Sequence, residues 1–234
     1  MNNPKALLRS LKSLSGPFPP FDVSLLPKSP GELFLEWLNL AVENDVKEPH
    51  AMTLSTVDAD GCPDARVLIL KNVEGDTFYF ASSFESRKGR QLKRNPKAAL
   101  TFYWPQLGRQ IRLRGTVRDM GDEAGVADFR RRSAEARAVA LTGNQSRELV
   151  REEELEHSLA EQRERIGRNP DLITSNWRLY GMNVEDAEFW QGIQAGSIPG
   201  FNITGAKGIG SIAGSGLEHP CFRFFIFKKW RTIP

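Results

Sequence analysis

The chain has 234 residues, 40% hydrophobic and 26% charged, the balance of a globular protein with room for one large domain or two small ones. Its 32 Lys plus Arg against 29 Asp plus Glu leave a net charge of +3, too slight an excess to make nucleic acid the main partner. No apolar run reaches the ~18 residues of a membrane span, no export signal precedes the first prolines, and Cys62 and Cys221 lack metal-ligand or disulfide spacing. The expectation is a cytoplasmic protein with no membrane partner and no metal.

Residues 1–28 carry Pro17, Pro19, Pro20 and Pro27, which oppose regular helix and predict an extended arm. Ser29, Pro30 and Glu32 form a capping box with proline at the first helical position. Leu33, Phe34, Trp37, Leu38 and Ala41 then repeat at helical spacing to about Asn44. After Pro49 the runs shorten and turn β-rich: Ala51–Val57, Arg66–Lys71, Thr77–Ser82, Ala98–Tyr103 and Arg109–Arg118. Turn signals at Asp58 to Gly61, Glu74 to Asp76 and Leu107-Gly108 separate them. Strands so closely spaced predict antiparallel pairing into a barrel, interrupted by a short helix from Ser86 to about Asn95. Charge-rich surface helices follow over Asp122–Arg132 and Arg147–Arg168, then a strand over Trp177–Val184 leading into Glu188-Phe189-Trp190-Gln191-Gly192. Residues 193–217 break with this composition, holding seven glycines and Lys207 as their one charge. The last residues turn aromatic, with Phe222, Phe224, Phe225, Phe227 and Trp230. The division predicted is an arm (1–28), a folded domain (29–192) and an atypical tail (193–234).

Arg66 and Lys71 bracket the apolar run Val67 to Leu70, and their odd spacing sets the two charges on opposite faces of a regular strand. Ser86-Arg87-Lys88-Gly89 stands where a helix begins, so free backbone N–H groups and two cations meet at one anion site. Gln145-Ser146 offers amide and hydroxyl donors, or a plain helix cap. Metal-protease, nucleophile-elbow and phosphate-loop patterns do not occur, and the glycines at 205, 208, 210 and 214 miss the dinucleotide spacing. The remaining expectation is a phosphate-bearing cofactor that carries the reactivity itself.

Arg66 to Lys71, Phe84 to Gly89, Asn95-Pro96, Phe102-Tyr103-Trp104, Arg109-Gln110, Gln145-Ser146 and Glu188 to Gly192 occur in an order and spacing that resembles the pyridoxine/pyridoxamine 5′-phosphate oxidases. The resemblance covers roughly residues 30–192. It implies a mainly β, α+β protein: an antiparallel split β-barrel, homodimeric, with FMN at sites shared between subunits. It places Arg66, Arg87, Lys88 and Ser146 on the flavin phosphate and ribityl chain. Val67, Leu68, Ile69, Leu70, Lys71, Ala81, Ser82, Gln110, Gln145 and Trp190 line the rest of the flavin site, and Lys71 and Arg132 hold the phosphate of a small B6-type substrate. The implied reaction passes a hydride from the substrate's 4′ carbon to flavin N5, and molecular oxygen reoxidises the flavin to give hydrogen peroxide. No catalytic protein nucleophile is needed.

Two departures from the family pattern stand out. Asp128 occupies the position of a phosphate-binding tyrosine and Ala136 that of a serine, and an acid beside a phosphate is repulsive. A different substrate, as in the phenazine-pathway flavin oxidases of the same fold, is one alternative; a non-catalytic flavin-binding protein is another. A nucleic-acid module built on the arginines between Arg130 and Arg137 is a third class. The family's Arg-x-His and further Arg after the Trp-Gln-Gly are also replaced, by Gly196, Ile198 and Gly200. Two explanations are open, a genuinely divergent Gly-rich tail and, favoured here, a single G lost from a G run at the Gly192 codon. The shifted frame permits Arg at Ala195/Gly196, His at Ser197/Ile198, Arg at Pro199/Gly200 and a stop at Leu217/Glu218.

Overall fold

Seven strands make one antiparallel sheet in the computed structural model, which describes residues 3–12, 14–22, 25–143, 151–192 and 229–231. The strands are β1 (Ala51–Val57), β2 (Pro63–Glu74), β3 (Thr77–Ser83), β4 (Lys97–Trp104), β5 (Arg109–Asp119), β6 (Trp177–Gln191) and β7 (Lys229–Arg231). Their order is β3-β2-β1-β4-β5-β6-β7, and a further pairing of β3 with β6 closes the first six into a barrel. Closure satisfies the backbone groups that the edges of an open sheet would expose. The split-barrel, α+β fold expected from the sequence is thus present.

Alternation along the strands puts one face inside. Met52, Leu54 and Thr56 of β1 are buried, as are Phe78 and Phe80 of β3 and Ile111 and Leu113 of β5. Helix α2 (Pro30–Glu43), capped by Ser29 as its sequence predicts, fills the interior from one side. Its Phe34 ring lies 4.9 Å from Phe78 and 4.7 Å from Phe102. Those residues sit on β3 and β4, which are not neighbours in the sheet, so Phe34 lies between opposite walls.

Three elements differ from expectation. The arm begins with a helix, α1 (Pro4–Ser10), because Asn3 caps it and Pro4 occupies the first turn, where a missing N–H costs nothing. The helix expected over Asp122–Arg132 is followed by a second one that the sequence pattern does not predict. α4 (Asp122–Arg130) ends and Ser133 caps α5 (Ala134–Leu141), its hydroxyl accepting from the Ala136 amide. The last long strand is continuous from Trp177 to Gln191, and a bulge opposite Arg114 and Gly115 absorbs the change of pattern near Val184. Helix α3 (Arg87–Arg94) lies where expected, and α6 (Glu152–Arg168) is described from Glu152 onward.

The arm crosses the ends of β5 and β6. Gln191 Nε2 donates to Pro19 O at 2.6 Å, Phe21 meets Trp37 edge-on at 5.1 Å, and Arg109 stacks over Trp37 at 4.2 Å while its Nε donates to Gln191. Burial holds the Arg109 guanidinium well below the usual arginine range, at about 10. β7 adds a short strand alongside β6, its backbone pairing with Asp186–Glu188.

Candidate functional site

The β3–α3 junction builds an anion cradle. Ser86 stops the strand and caps α3: its hydroxyl donates to Ser83 O at 2.6 Å and accepts from the Gly89 amide at 3.2 Å, with the Ser82 hydroxyl 3.3 Å away. The helix therefore starts with Arg87 and Lys88 beside its unsatisfied N–H groups. Arg66 enters from β2. Its Nη1 donates to Thr56 Oγ1 at 2.5 Å and its Nη2 to Gln91 Oε1 at 3.2 Å. Lys88 is 5% exposed, and burial with the neighbouring Arg66 charge lowers its ammonium from the ordinary 10.5 to about 8. A buried, destabilised cation of this kind is a natural receptor for a phosphate.

Three groups in this cradle were not singled out from the sequence: Thr56, Asp64 and Gln91. Asp64 Oδ2 lies 2.6 Å from Arg66 Nη2 and accepts from Gln91 Nε2 at 3.1 Å. Gln91 follows Lys88 by three residues and so shares its helix face, a spacing that could have marked it.

A second charged cluster surrounds Trp177, the first residue of β6. Its Nε1 donates to Asp128 Oδ2 at 2.7 Å, and the Arg132 guanidinium stacks on its ring at 4.1 Å. Lys71, at a β2 bulge beyond the inward-facing Leu70, reaches Asp128 Oδ1 at 3.5 Å. The expected partners Lys71 and Arg132 thus lie in one cluster, with Asp128 between them as their counter-ion. Desolvation pushes Arg132 below its usual range, and Asp128 opposes that shift. Because β3 pairs with β6 through Ser82–Arg178 and Ser83–Trp177, this cluster and the cradle flank the same strand end. Ala81 packs there with Phe129 and Trp177. Arg137 is also buried, donating to Pro170 O and Leu172 O, so the arginines from 130 to 137 do not form one solvated basic face.

The outer face of the barrel carries the other expected residues. Register places Val67, Thr53, Thr101, Arg112 and Glu188 in one row across five strands. Two residues along, Ile69 pairs with Ala51, and Tyr103, Gln110 and Trp190 form a continuous row. Val67 and Tyr103 are more than half exposed, an unusual amount of apolar area for a barrel wall. Leu68 turns inward against the core. Gln145, Ser146 and the tail positions Gly196, Ile198 and Gly200 lie outside the described residues.

Comparison with known proteins agrees with this arrangement. The family model described as pyridoxamine 5′-phosphate oxidase matches residues 39–166. A pyridoxine/pyridoxamine 5′-phosphate oxidase from Legionella pneumophila (strain Lens) is 39% identical over 159 residues, covering 68% of this chain and 74% of that protein. One from Cupriavidus necator is 42% identical over 163 residues, covering 70% and 76%. Among solved structures, PhzG from Burkholderia lata 383, in complex with tetrahydrophenazine-1-carboxylic acid, aligns with a TM-score of 0.69 at 26% identity, covering 75% of this chain and 87% of that one. A pyridoxamine 5′-phosphate oxidase-related, FMN-binding protein from Nostoc punctiforme shares the fold at a TM-score of 0.57 and 18% identity, covering 71% and 87%. With the family model matching more than half of the chain and a relative 39% identical over 68% of it, the chain belongs to the pyridoxamine 5′-phosphate oxidase family.

Proposed function

We propose that this protein is an FMN-dependent oxidase of the pyridoxamine 5′-phosphate oxidase type. The observation that carries the reading is the cradle, where Arg66, Arg87 and the buried Lys88 meet the capped start of α3. These donors fit a flavin phosphate: three cations and oriented N–H groups complement a dianion. Ser82 and Gln110 would contribute hydrogen bonds and Trp190 an apolar surface, with Gln145 and Ser146 completing the site. Bound FMN would supply hydride acceptance at N5 and reoxidation by oxygen to hydrogen peroxide. The protein's own part is to fix the phosphate, orient the substrate through Lys71 and Arg132, and exclude water.

The exposed apolar residues of the outer wall support a homodimer, because Tyr103 lies in register with Gln110 and Trp190 and Val67 lies on the same wall in the row two residues away. A partner covering that wall would complete a site that one barrel leaves open.

Purified protein should show flavin absorbance, lost on charge reversal at Arg66 or Lys88. Colourless protein that takes up no added FMN would sink the reading.

A second reading, an oxidase acting on a carboxylated heteroaromatic compound, is favoured by the Lys71–Asp128–Arg132 cluster. Two cations and one carboxylate leave a single positive charge, which matches a carboxylate better than a phosphate dianion. Steady peroxide formation with pyridoxamine 5′-phosphate favours the first reading. Peroxide only with a reduced carboxylated heteroaromatic favours the second, and flavin uptake without peroxide from either marks a non-catalytic carrier.

A further inference from the structure

The cradle contains an acid whose position needs an explanation. Asp64 Oδ2 lies 2.6 Å from Arg66 Nη2 and 3.7 Å from Arg87 Nε, and its side chain is mostly covered. A carboxylate placed among groups assembled for an anion opposes that anion by Coulomb repulsion. Orientation of Arg66 does not depend on it alone, since Leu54 O, Thr56 Oγ1 and Gln91 Oε1 also accept from the same guanidinium.

The cations themselves supply the explanation. Arg66 and Lys88 carry like charges within one covered site, and the Arg66 charge disfavours the Lys88 ammonium while Asp64 favours it. Removing the carboxylate from such a cluster leaves the cations facing one another uncompensated, a destabilisation that the part exposure of Asp64 and Arg87 keeps modest. Gln91 fixes the carboxylate from the helix side at 3.1 Å, and register sets Asp64 opposite Thr56, which ties it to the same polar network.

We infer that Asp64 is a built-in counter-anion of the cradle, stabilising the protein when no phosphate is bound and setting how loosely a phosphate ligand is held. Three cations less one carboxylate leave a net charge of +2, which a single phosphate dianion neutralises. The inference rests on the flavin reading for the identity of the ligand but not for its charge. It gives Asp64 two effects of opposite sign, one on the ligand-free protein and one on binding, which an ordinary supporting residue would not have.

Asp64→Asn keeps an acceptor for Arg66 and removes the charge; Asp64→Ser does the same with a smaller group. Both should lower the melting temperature of ligand-free protein by a few degrees. Both should also tighten FMN binding about ten-fold, as read by flavin fluorescence quenching. Riboflavin, which lacks the phosphate, should bind the variants and the parent equally. Inorganic phosphate alone should raise the melting temperature more in the variants than in the parent. Unchanged or weaker FMN binding, a parallel gain for riboflavin, or no loss of ligand-free stability would overturn the inference. Parent protein that binds no flavin would refute the flavin reading, and the inorganic phosphate comparison would still decide the role of Asp64.

Discussion

Lys88 shows how one residue can work against the fold and for the ligand. Its folded value of about 8 lies below the ordinary 10.5, so between those values the unfolded chain binds the extra proton. Stability of ligand-free protein should therefore rise as pH increases from about 8 towards 10.5, the reverse of a lysine that gains a partner on folding. Phosphate binding has the opposite trend, because the ammonium is lost over the same range; the FMN dissociation constant should grow roughly ten-fold between pH 7 and pH 9.5. Lys88→Met should raise the ligand-free melting temperature and cut FMN affinity by about a hundred-fold, measured on the same preparation. Arg66, Arg87 and Lys88 are picked out in the sequence by the ordered set of motifs that resembles the family, because a cation at a strand end or a helix start is by itself an ordinary solvated charge. Asp64, Thr56 and Gln91 are not. Each is an unremarkable polar residue until β1, β2 and α3 converge, when Thr56 pairs with Asp64 and Gln91 bridges them. Arg132 illustrates the converse, since its charge suggests a solvated helix face and only the Trp177 ring explains why it is covered.

At the scale of elements, α3 is held close to β3 by a glycine. A Cβ on Gly89 would lie 2.3 Å from Phe84 O, and the obstacle is backbone, which cannot swing aside. Gly89→Ala should displace the first turn of α3 and cost about 1–3 kcal/mol of stability. Because Lys88 and the Ser86 cap move with that turn, FMN affinity should fall further than the melting temperature alone would imply. Fluorescence titration alongside thermal melting checks the pair, and equal FMN binding in a destabilised variant would show that the turn does not position the cradle. Most elements are readable from the sequence, since β-rich runs between turn signals define β1 to β5 and the Ser29 and Ser86 caps mark the starts of α2 and α3. Helix α5 and the length of β6 are less so. A lone serine cap in an arginine-rich stretch is a weak start signal for so short a helix, and a strand that runs through a bulge loses its two-residue period.

At the scale of the molecule, the exposed wall around Val67 and Tyr103 leads to the expectation of a dimer in sedimentation; a monomer with tightly bound FMN would contradict it. Residues 193–234 we propose to be an atypical tail read in a shifted frame, of which Lys229–Arg231 pair with β6. Restoring one G at the Gly192 codon should leave FMN binding unchanged and raise turnover of pyridoxamine 5′-phosphate by at least about ten-fold, because a guanidinium and an imidazole would then follow the barrel. Full turnover by the protein as written would refute the shifted frame. The closure of the barrel has a consequence in time. β3 is made early and pairs with β2, but its second partner is β6, so Thr77 waits for Asn183 while the intervening strands and helices leave the ribosome. The arm waits longer still, its Pro19 carbonyl meeting Gln191 across 172 residues. Until β6 emerges, β3 keeps an open edge and Trp37 lacks Phe189, which packs on it in the finished protein. Synthesis of this chain therefore carries a long interval in which the nascent barrel can pair with the wrong neighbour, and slower translation before Trp177 would lengthen that exposure.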